Sequence, residues 1–244
     1  MKNIKLVFEY DGSNYYGYQR QLQKRTVQGD LEKGLNKILN GKINLVSAGR
    51  TDRGVHALEQ VANFKSDTKI PLDKLKLIVN RAIPNTIKIK KCVEENEEFN
   101  SRFSAKGRGY TYIMKEEEKC TVFDSNYITP VREAIEVEKF LEILKPLEGK
   151  HNFNSFRKTD EKYKNPERTI TNIDFSKKGD NYYVYIEADS FLKSMVRIIM
   201  GTALAVYFGD EKSDYLVEKL ENPDINKKKI VAPASGLYLS KVRY

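Results

Sequence analysis

Histidine and cysteine are scarce in this 244-residue chain, with two of each, and tryptophan is absent. A ligand cluster for a metal-dependent nuclease cannot be assembled from so few, because neither His56 nor His151 has a cysteine at ligand spacing. No metal is expected. The two cysteines, Cys92 and Cys120, lie far apart, and no secretory leader precedes the first strand-like segment, so a reduced cytoplasmic compartment is expected. Long apolar runs are missing as well: the longest, Met195 to Phe208, is too short to span a bilayer and carries Arg197. No membrane segment is expected. A phosphate-cradling P-loop is also excluded, since Gly34 and Gly41-Lys42 are too widely spaced and Ile43 replaces the required Ser or Thr.

What is present is charge of both signs with a basic excess. Lys and Arg total 43 against 34 acidic residues, a net charge of +9, which favours a polyanionic partner and nucleic acid first. Hydrophobic residues make up 40% and charged residues 32%, the balance of a soluble globular protein able to bury a core.

Hydrophobic periodicity sets out the elements. Ile4, Leu6, Phe8 and Tyr10 alternate through a strand, and a polar, tyrosine-rich loop follows. From Thr26, an N-cap, the period becomes helical, with Val27, Leu31, Leu35 and Ile38/Leu39 in one stripe. Strands are expected at 43–47, 60–64 and 87–93, and a helix over 71–81 with Leu72, Leu75 and Ile78/Val79 inward. The resulting β-α-β-β-α-β order is the split βαβ arrangement. A similar order recurs: strands at 110–114, 169–175, 182–187 and 237–242, and helices at 137–144, 191–207 and 214–220. The expectation is therefore an α+β fold of two ferredoxin-like halves, residues 1–103 and 104–244.

Between two short strands lies Gly49-Arg50-Thr51-Asp52-Arg53-Gly54-Val55-His56-Ala57, with a carboxylate at its centre and an arginine on either side. By local chemistry alone this is an ordinary Asp-and-Gly turn. It nevertheless resembles the signature of TruA-type tRNA pseudouridine synthases. Further blocks similar to that family follow in order. They are Tyr10-Asp11-Gly12-Ser13 with Tyr16-Gly17-Tyr18-Gln19, Arg102-Phe103-Ser104-Ala105 with Tyr110-Thr111-Tyr112, Ser155-Phe156-Arg157, Arg168-Thr169-Ile170, Met195-Val196-Arg197, and Ala232-Pro233 with Gly236-Leu237-Tyr238-Leu239.

The resemblance implies two α/β halves sharing one continuous, mainly antiparallel sheet, with the active-site cleft between them and a homodimer. It implies a tRNA partner, bound at the anticodon arm, and isomerisation of uridine to pseudouridine at tRNA positions 38 to 40. No cofactor is needed, because the reaction moves the ribose bond from uracil N1 to C5 without loss or gain of atoms. Asp52 falls on the family's nucleophile, Arg197 on its charge partner and Tyr110 on its substrate-stacking tyrosine, although Tyr112 shares the same strand face. An unpaired guanidinium in the apolar 195–200 segment would be costly, which also argues that Arg197 has a partner. Basic residues interleave with aromatics at Arg102, Lys106 and Arg108, and at Arg20, Lys24 and Arg25 beside Tyr15, Tyr16 and Tyr18. With Arg50 and Arg53 these are expected to face RNA. Lys227 to Lys229 read as a solvated turn, and His56 as a structural loop residue. Two residues depart from the family pattern: Tyr18 stands where tryptophan is usual, and Arg53 where a small residue is usual. The rival reading is a non-catalytic tRNA-binding or tRNA-folding chaperone on the same scaffold.

Overall fold

The computed structural model describes residues 1–159 and 165–244. It divides into two compact units, Met1–Lys106 with Tyr238–Tyr244, and Gly107–Leu237. The fold class is the expected α+β one, with mostly antiparallel strands.

In the first unit, β1 (Lys2–Tyr10) buries Ile4, Leu6, Phe8 and Tyr10 on one face. Each such side chain contributes about 1.5–3 kcal/mol on burial, and a one-residue slip would expose all four, so the register is firmly set. Helix α1 (Val27–Leu39) begins where Thr26 Oγ1 accepts the Gly29 amide at 3.2 Å, and ends at Asn40 in the left-handed conformation. Its Val27, Leu31 and Leu35 are buried, as the stripe predicts. The remaining elements are β2 (Val46–Ser47), β3 (His56–Ser66), α2 (Leu72–Ala82) and β4 (Ile87–Glu95). β1 lies between β3 and β4, antiparallel to both.

Three expectations need correction in this unit. The strand expected at 43–47 shrinks to Val46–Ser47, because α1 side chains take the backbone donors ahead of it: Asn36 Oδ1 accepts the Ile43 amide and Glu32 Oε1 accepts that of Leu45. β3 starts at His56 rather than at residue 60, inside the signature segment. On α2 only Leu75 and Val79 are buried, while Ile78 is exposed.

In the second unit, β5 (Gly107–Glu116), β9 (Asn181–Ala188), β8 (Glu167–Lys178) and β7 (Gly149–Asn152) lie side by side in that order, each antiparallel to the next. A short β6 (Thr129–Val131) runs parallel to the end of β5. β6 and β7, too short to show periodicity, were not foreseen. Helix α3 (Val137–Leu144) sets the Phe140 ring edge-on to Phe175 of β8 at 5.3 Å and to Tyr207 of α4 (Met195–Tyr207) at 5.6 Å. α4 starts four residues later than expected, because Ser194 takes a left-handed conformation (φ 60°) that cannot begin a helix.

α5 (Tyr215–Glu221) carries Lys219, fully buried, whose Nζ donates to the Lys228 carbonyl at 2.8 Å. The lysines at 227–229 are therefore more than a solvated turn: Lys227 pairs with Glu218, Lys228 with Glu211, and Lys229 donates to two backbone carbonyls. The last strand, β10 (Leu237–Arg243), was assigned by sequence to the second half. Its Tyr238 and Leu239 pair parallel with His56 and Ala57, on the edge of β3 that β2 also uses.

Tyrosine supplies much of the bulk that tryptophan does not: Tyr15, Tyr18, Tyr112 and Tyr182 are among the largest fully buried side chains. Burial pushes the Tyr10 hydroxyl up to about 12, and raises those of Tyr18 and Tyr112 further above the usual value. Tyrosines of the unfolded chain ionise near pH 10, so above that pH the folded state holds more protons than the unfolded one. Stability from these groups is complete below pH 10 and is lost as pH rises toward 12. Urea-unfolding midpoints measured at pH 9 and pH 11 should fall at the higher pH; equal midpoints would contradict the burial argument.

Candidate active site

The Asp52 loop is stapled from three sides within the first unit. Gln60 Nε2 donates to the Gly49 carbonyl at 3.0 Å, and the Tyr10 hydroxyl and Thr51 Oγ1 share a buried hydrogen bond of 2.8 Å. The Tyr18 amide donates to the Thr51 carbonyl at 3.1 Å and the Gly54 amide to the Tyr15 carbonyl at 3.4 Å. At the far end the Gly12 amide donates to His56 Nδ1 at 3.0 Å, and the His56 ring stacks on Tyr238 at 4.7 Å. His56 is buried and stands as the first residue of β3, where the sequence expected a loop residue.

Two glycines make this contact possible. A Cβ on Gly12 would lie 2.0 Å from the Val55 carbonyl oxygen, and Gly17, at φ +93°, runs against the backbone of Thr51 and Asp52. Inside the loop the Val55 amide closes on the Asp52 carbonyl at 3.2 Å. Asp52 itself is half-buried, between buried Thr51 and exposed Arg53.

The first loop does not present all its tyrosines to solvent. Tyr15 and Tyr18 are buried, which corrects their assignment to an RNA-facing surface. The Tyr15 hydroxyl meets Thr86 and Asp30, and Tyr18 packs with Phe8 and Tyr10. Tyr16 alone of the three is exposed. Its ring lies under two cations, Arg53 at 4.4 Å and Lys24 at 4.6 Å, a grouping that no sequence motif signals. Among the remaining basic residues of this unit, Arg20 pairs with buried Glu32 at 2.7 Å, and Arg25 pairs with Asp30 at 2.9 Å while lying over the Tyr15 ring. Arg50, Arg102 and Lys106 are exposed, with Arg102 over the Phe103 ring.

In the second unit, Tyr110 lies on β5 and is 8% exposed, with Phe191 edge-on at 5.1 Å. Tyr112 is fully enclosed, and its hydroxyl is engaged by Thr129 at 2.7 Å and by the Pro233 carbonyl at 3.0 Å. Of the two tyrosines, Tyr110 is the one that retains surface. Arg197 lies in the first turn of α4, half-buried, where its Nε donates to the Ala232 carbonyl at 2.9 Å and its own carbonyl accepts the Ala232 amide. This two-way tie fixes the side chain's direction. The strained Ser194 immediately precedes that turn, a conformation of the kind that recurs at functional sites. Arg108 donates to the Asp189 carbonyl at 3.0 Å. Among the described residues, no group of three or more His, Cys, Asp or Glu side chains could hold a metal ion, and no helix is long and apolar enough to cross a membrane.

The Tyr18 hydroxyl, at the position where the resemblance expects tryptophan, is buried and makes no well-formed hydrogen bond among the described residues, although the Ser47 side chain lies close enough to act on it. An unsatisfied buried hydroxyl costs about 1–3 kcal/mol. Tyr18→Phe should therefore leave the protein as stable or raise its stability by about 1 kcal/mol, read as a higher melting temperature; a clear loss of stability would show that the hydroxyl is satisfied.

A family model described as tRNA pseudouridine synthase matches residues 6–104 and 143–244. The chain is 37% identical over 244 residues to tRNA pseudouridine synthase A 2 of Clostridium perfringens, covering 100% of both chains. It is 38% identical, again over 100% of both, to tRNA pseudouridine synthase A of Thermoanaerobacter sp.. Among solved structures, the archaeal box H/ACA sRNP Nop10-Cbf5 complex aligns with a TM-score of 0.39 and 9% identity, covering 83% of this chain and 42% of that one, a distant likeness that adds nothing to the assignment. With most of its length matched by the family model and full-length relatives above a third identical, the chain belongs to the tRNA pseudouridine synthase family.

Proposed function

We propose that the protein isomerises uridine to pseudouridine in tRNA, with Asp52 as nucleophile. The observation that carries this reading is the pinned signature loop with a half-buried carboxylate at its centre. A nucleophile must be held at the reacting atom, and stapling the loop to the sheet removes the freedom a turn would otherwise have. The glycosidic bond from C1′ to N1 breaks, the base turns while Asp52 holds the nucleotide covalently at ribose C1′ or ring C6, and C1′ rejoins at C5. The bond to Asp52 breaks as the product forms, the C5 proton is released to water and N1 takes up a proton in exchange, so the product is an isomer of the substrate.

The other roles follow from chemistry. Arg197, tied through Nε to a backbone carbonyl, is the charge partner that keeps Asp52 ionised once substrate excludes water. Tyr110 offers a ring on which the extruded base stacks, worth about 1–3 kcal/mol, against the few kcal/mol that extrusion costs. Lys24, Arg50, Arg53, Arg102, Lys106 and Arg108 contact the backbone of the anticodon arm, where the target uridines are positions 38 to 40. Arg20 and Arg25, expected from the sequence to share that role, are instead committed to Glu32 and Asp30. The enzyme works in the cytoplasm as a homodimer. Its nucleophile comes from the N-terminal half, and its stacking tyrosine and Arg197 from the C-terminal one.

Tritium release from tRNA labelled at uracil C5 tests reaction and nucleophile together. The intact protein should release tritium, and Asp52→Asn should lower release at least about a thousandfold while still binding tRNA. Binding without release by the intact protein would leave a tRNA-folding chaperone instead. Arg197→Met should slow turnover about a hundredfold or more with the fold retained; unchanged turnover would remove Arg197 from the mechanism.

A further inference from the structure

Four cations of the first loop and the Asp52 loop fall into two kinds. Arg20 and Arg25 are neutralised within the protein, by Glu32 and Asp30. Lys24 and Arg53 meet no carboxylate among the described residues, and both lie over the ring of Tyr16. Both charges are thus held at one ring with no carboxylate among the described residues to offset them, which leaves them available to an anion.

The seat is also rigid. The Tyr16 amide donates to the Arg25 carbonyl at 2.9 Å, and the Gln21 side chain donates to the Tyr16 carbonyl at 2.8 Å. A bridge between Gln21 and Lys24 closes the hairpin, whose turn has Gln23 at φ 58°. Arg53 directly follows Asp52, and Gly17, next to Tyr16, packs on the Asp52 backbone. The paired cations are thus built into the same two loops that hold the nucleophile.

We propose that Tyr16 is a positioning residue, which holds Lys24 and Arg53 as a two-pronged seat for consecutive phosphodiesters flanking the nucleotide that Asp52 attacks. The proposal rests on the RNA-modifying function proposed above. Arg53, the residue that departs from the small one usual in this family, then adds a backbone contact beside the nucleophile, and Tyr16 sets where that contact falls. The ring stays 39% exposed, so RNA can reach both prongs past its edge.

The test is a double-mutant cycle on binding of a tRNA transcript, with Kd followed against salt for the intact protein, Tyr16→Leu, Arg53→Ala, Lys24→Ala and the pairs with Tyr16→Leu. Arg53→Ala and Lys24→Ala should each reduce the slope of log Kd against log salt by about 0.7 to 0.9. Tyr16→Leu, though it removes no charge, should weaken binding about tenfold. In its background, loss of Arg53 or Lys24 should cost much less than in the intact protein, and Tyr16→Phe, which keeps a ring, should restore the affinity that Tyr16→Leu loses. Additive effects in the cycle, or a Tyr16→Leu variant that binds like the intact protein, would overturn the seat. Circular dichroism of each variant separates a folding defect from a binding one. If the intact protein releases no tritium from labelled tRNA, the function itself falls; if release stands and the cycle is additive, only the seat does.

Discussion

The interlock between the first loop and the Asp52 loop is the constraint on which the site depends. A carboxylate in an Asp-and-Gly turn would ordinarily sample many conformations, and here Tyr10, Tyr15, Tyr18 and Gly12 each take one backbone or side-chain group of residues 51–56. Net contributions of about 1 kcal/mol per hydrogen bond offset part of the roughly 1–2 kcal/mol per residue that ordering the loop costs, and burial against the sheet supplies the rest. Because Tyr10 closes β1 and His56 opens β3, the interlock bridges the ends of two adjacent antiparallel strands. The sheet register therefore fixes the position of Asp52, and the same register buries the core of the first unit.

Much of this was legible in the sequence, for identifiable reasons. Period-2 alternation named β1, and an N-cap followed by a heptad-like stripe named α1 from Thr26; α3 runs over the residues its apolar spacing picks out. What failed to show was settled by side chains acting at a distance. Glu32 and Asn36 take the amides of Leu45 and Ile43, so a segment with strand composition pairs with side chains rather than with a strand. Composition likewise could not tell a buried tyrosine from an exposed one: Tyr15, Tyr16 and Tyr18 are near neighbours in sequence, yet Tyr18 packs on Phe8 and Tyr10, Tyr15 is held by Thr86 and Asp30, and Tyr16 stays exposed. The Asp52 segment stood out only through its resemblance to a family, since its local chemistry is that of any tight turn.

Charge shows the same division between what composition reveals and what packing decides. The excess of basic residues pointed to an anionic partner, but individual cations of the two interlocked loops have different fates. Arg20 is committed to a buried carboxylate, where removing either partner would strand the other, while Arg53 is committed only to the face of a ring. A net charge therefore says little about which residues carry the field outward. The number available to a polyanion is set by how many the fold has already paired.

The pairing of Tyr238 and Leu239 with β3 has a consequence for how the polypeptide matures. The hydrogen bond from the Val242 amide to Glu59 joins residues 183 positions apart. During synthesis, the edge of β3 that begins in the signature segment must wait for nearly the whole remainder to leave the ribosome before it gains that neighbour. Until then the start of that edge, ahead of the part that β2 covers, is open to adventitious pairing. Products truncated before Tyr238 would thus have a His56 without its stacking ring, so a stretch made much later acts as the latch on the Asp52 segment.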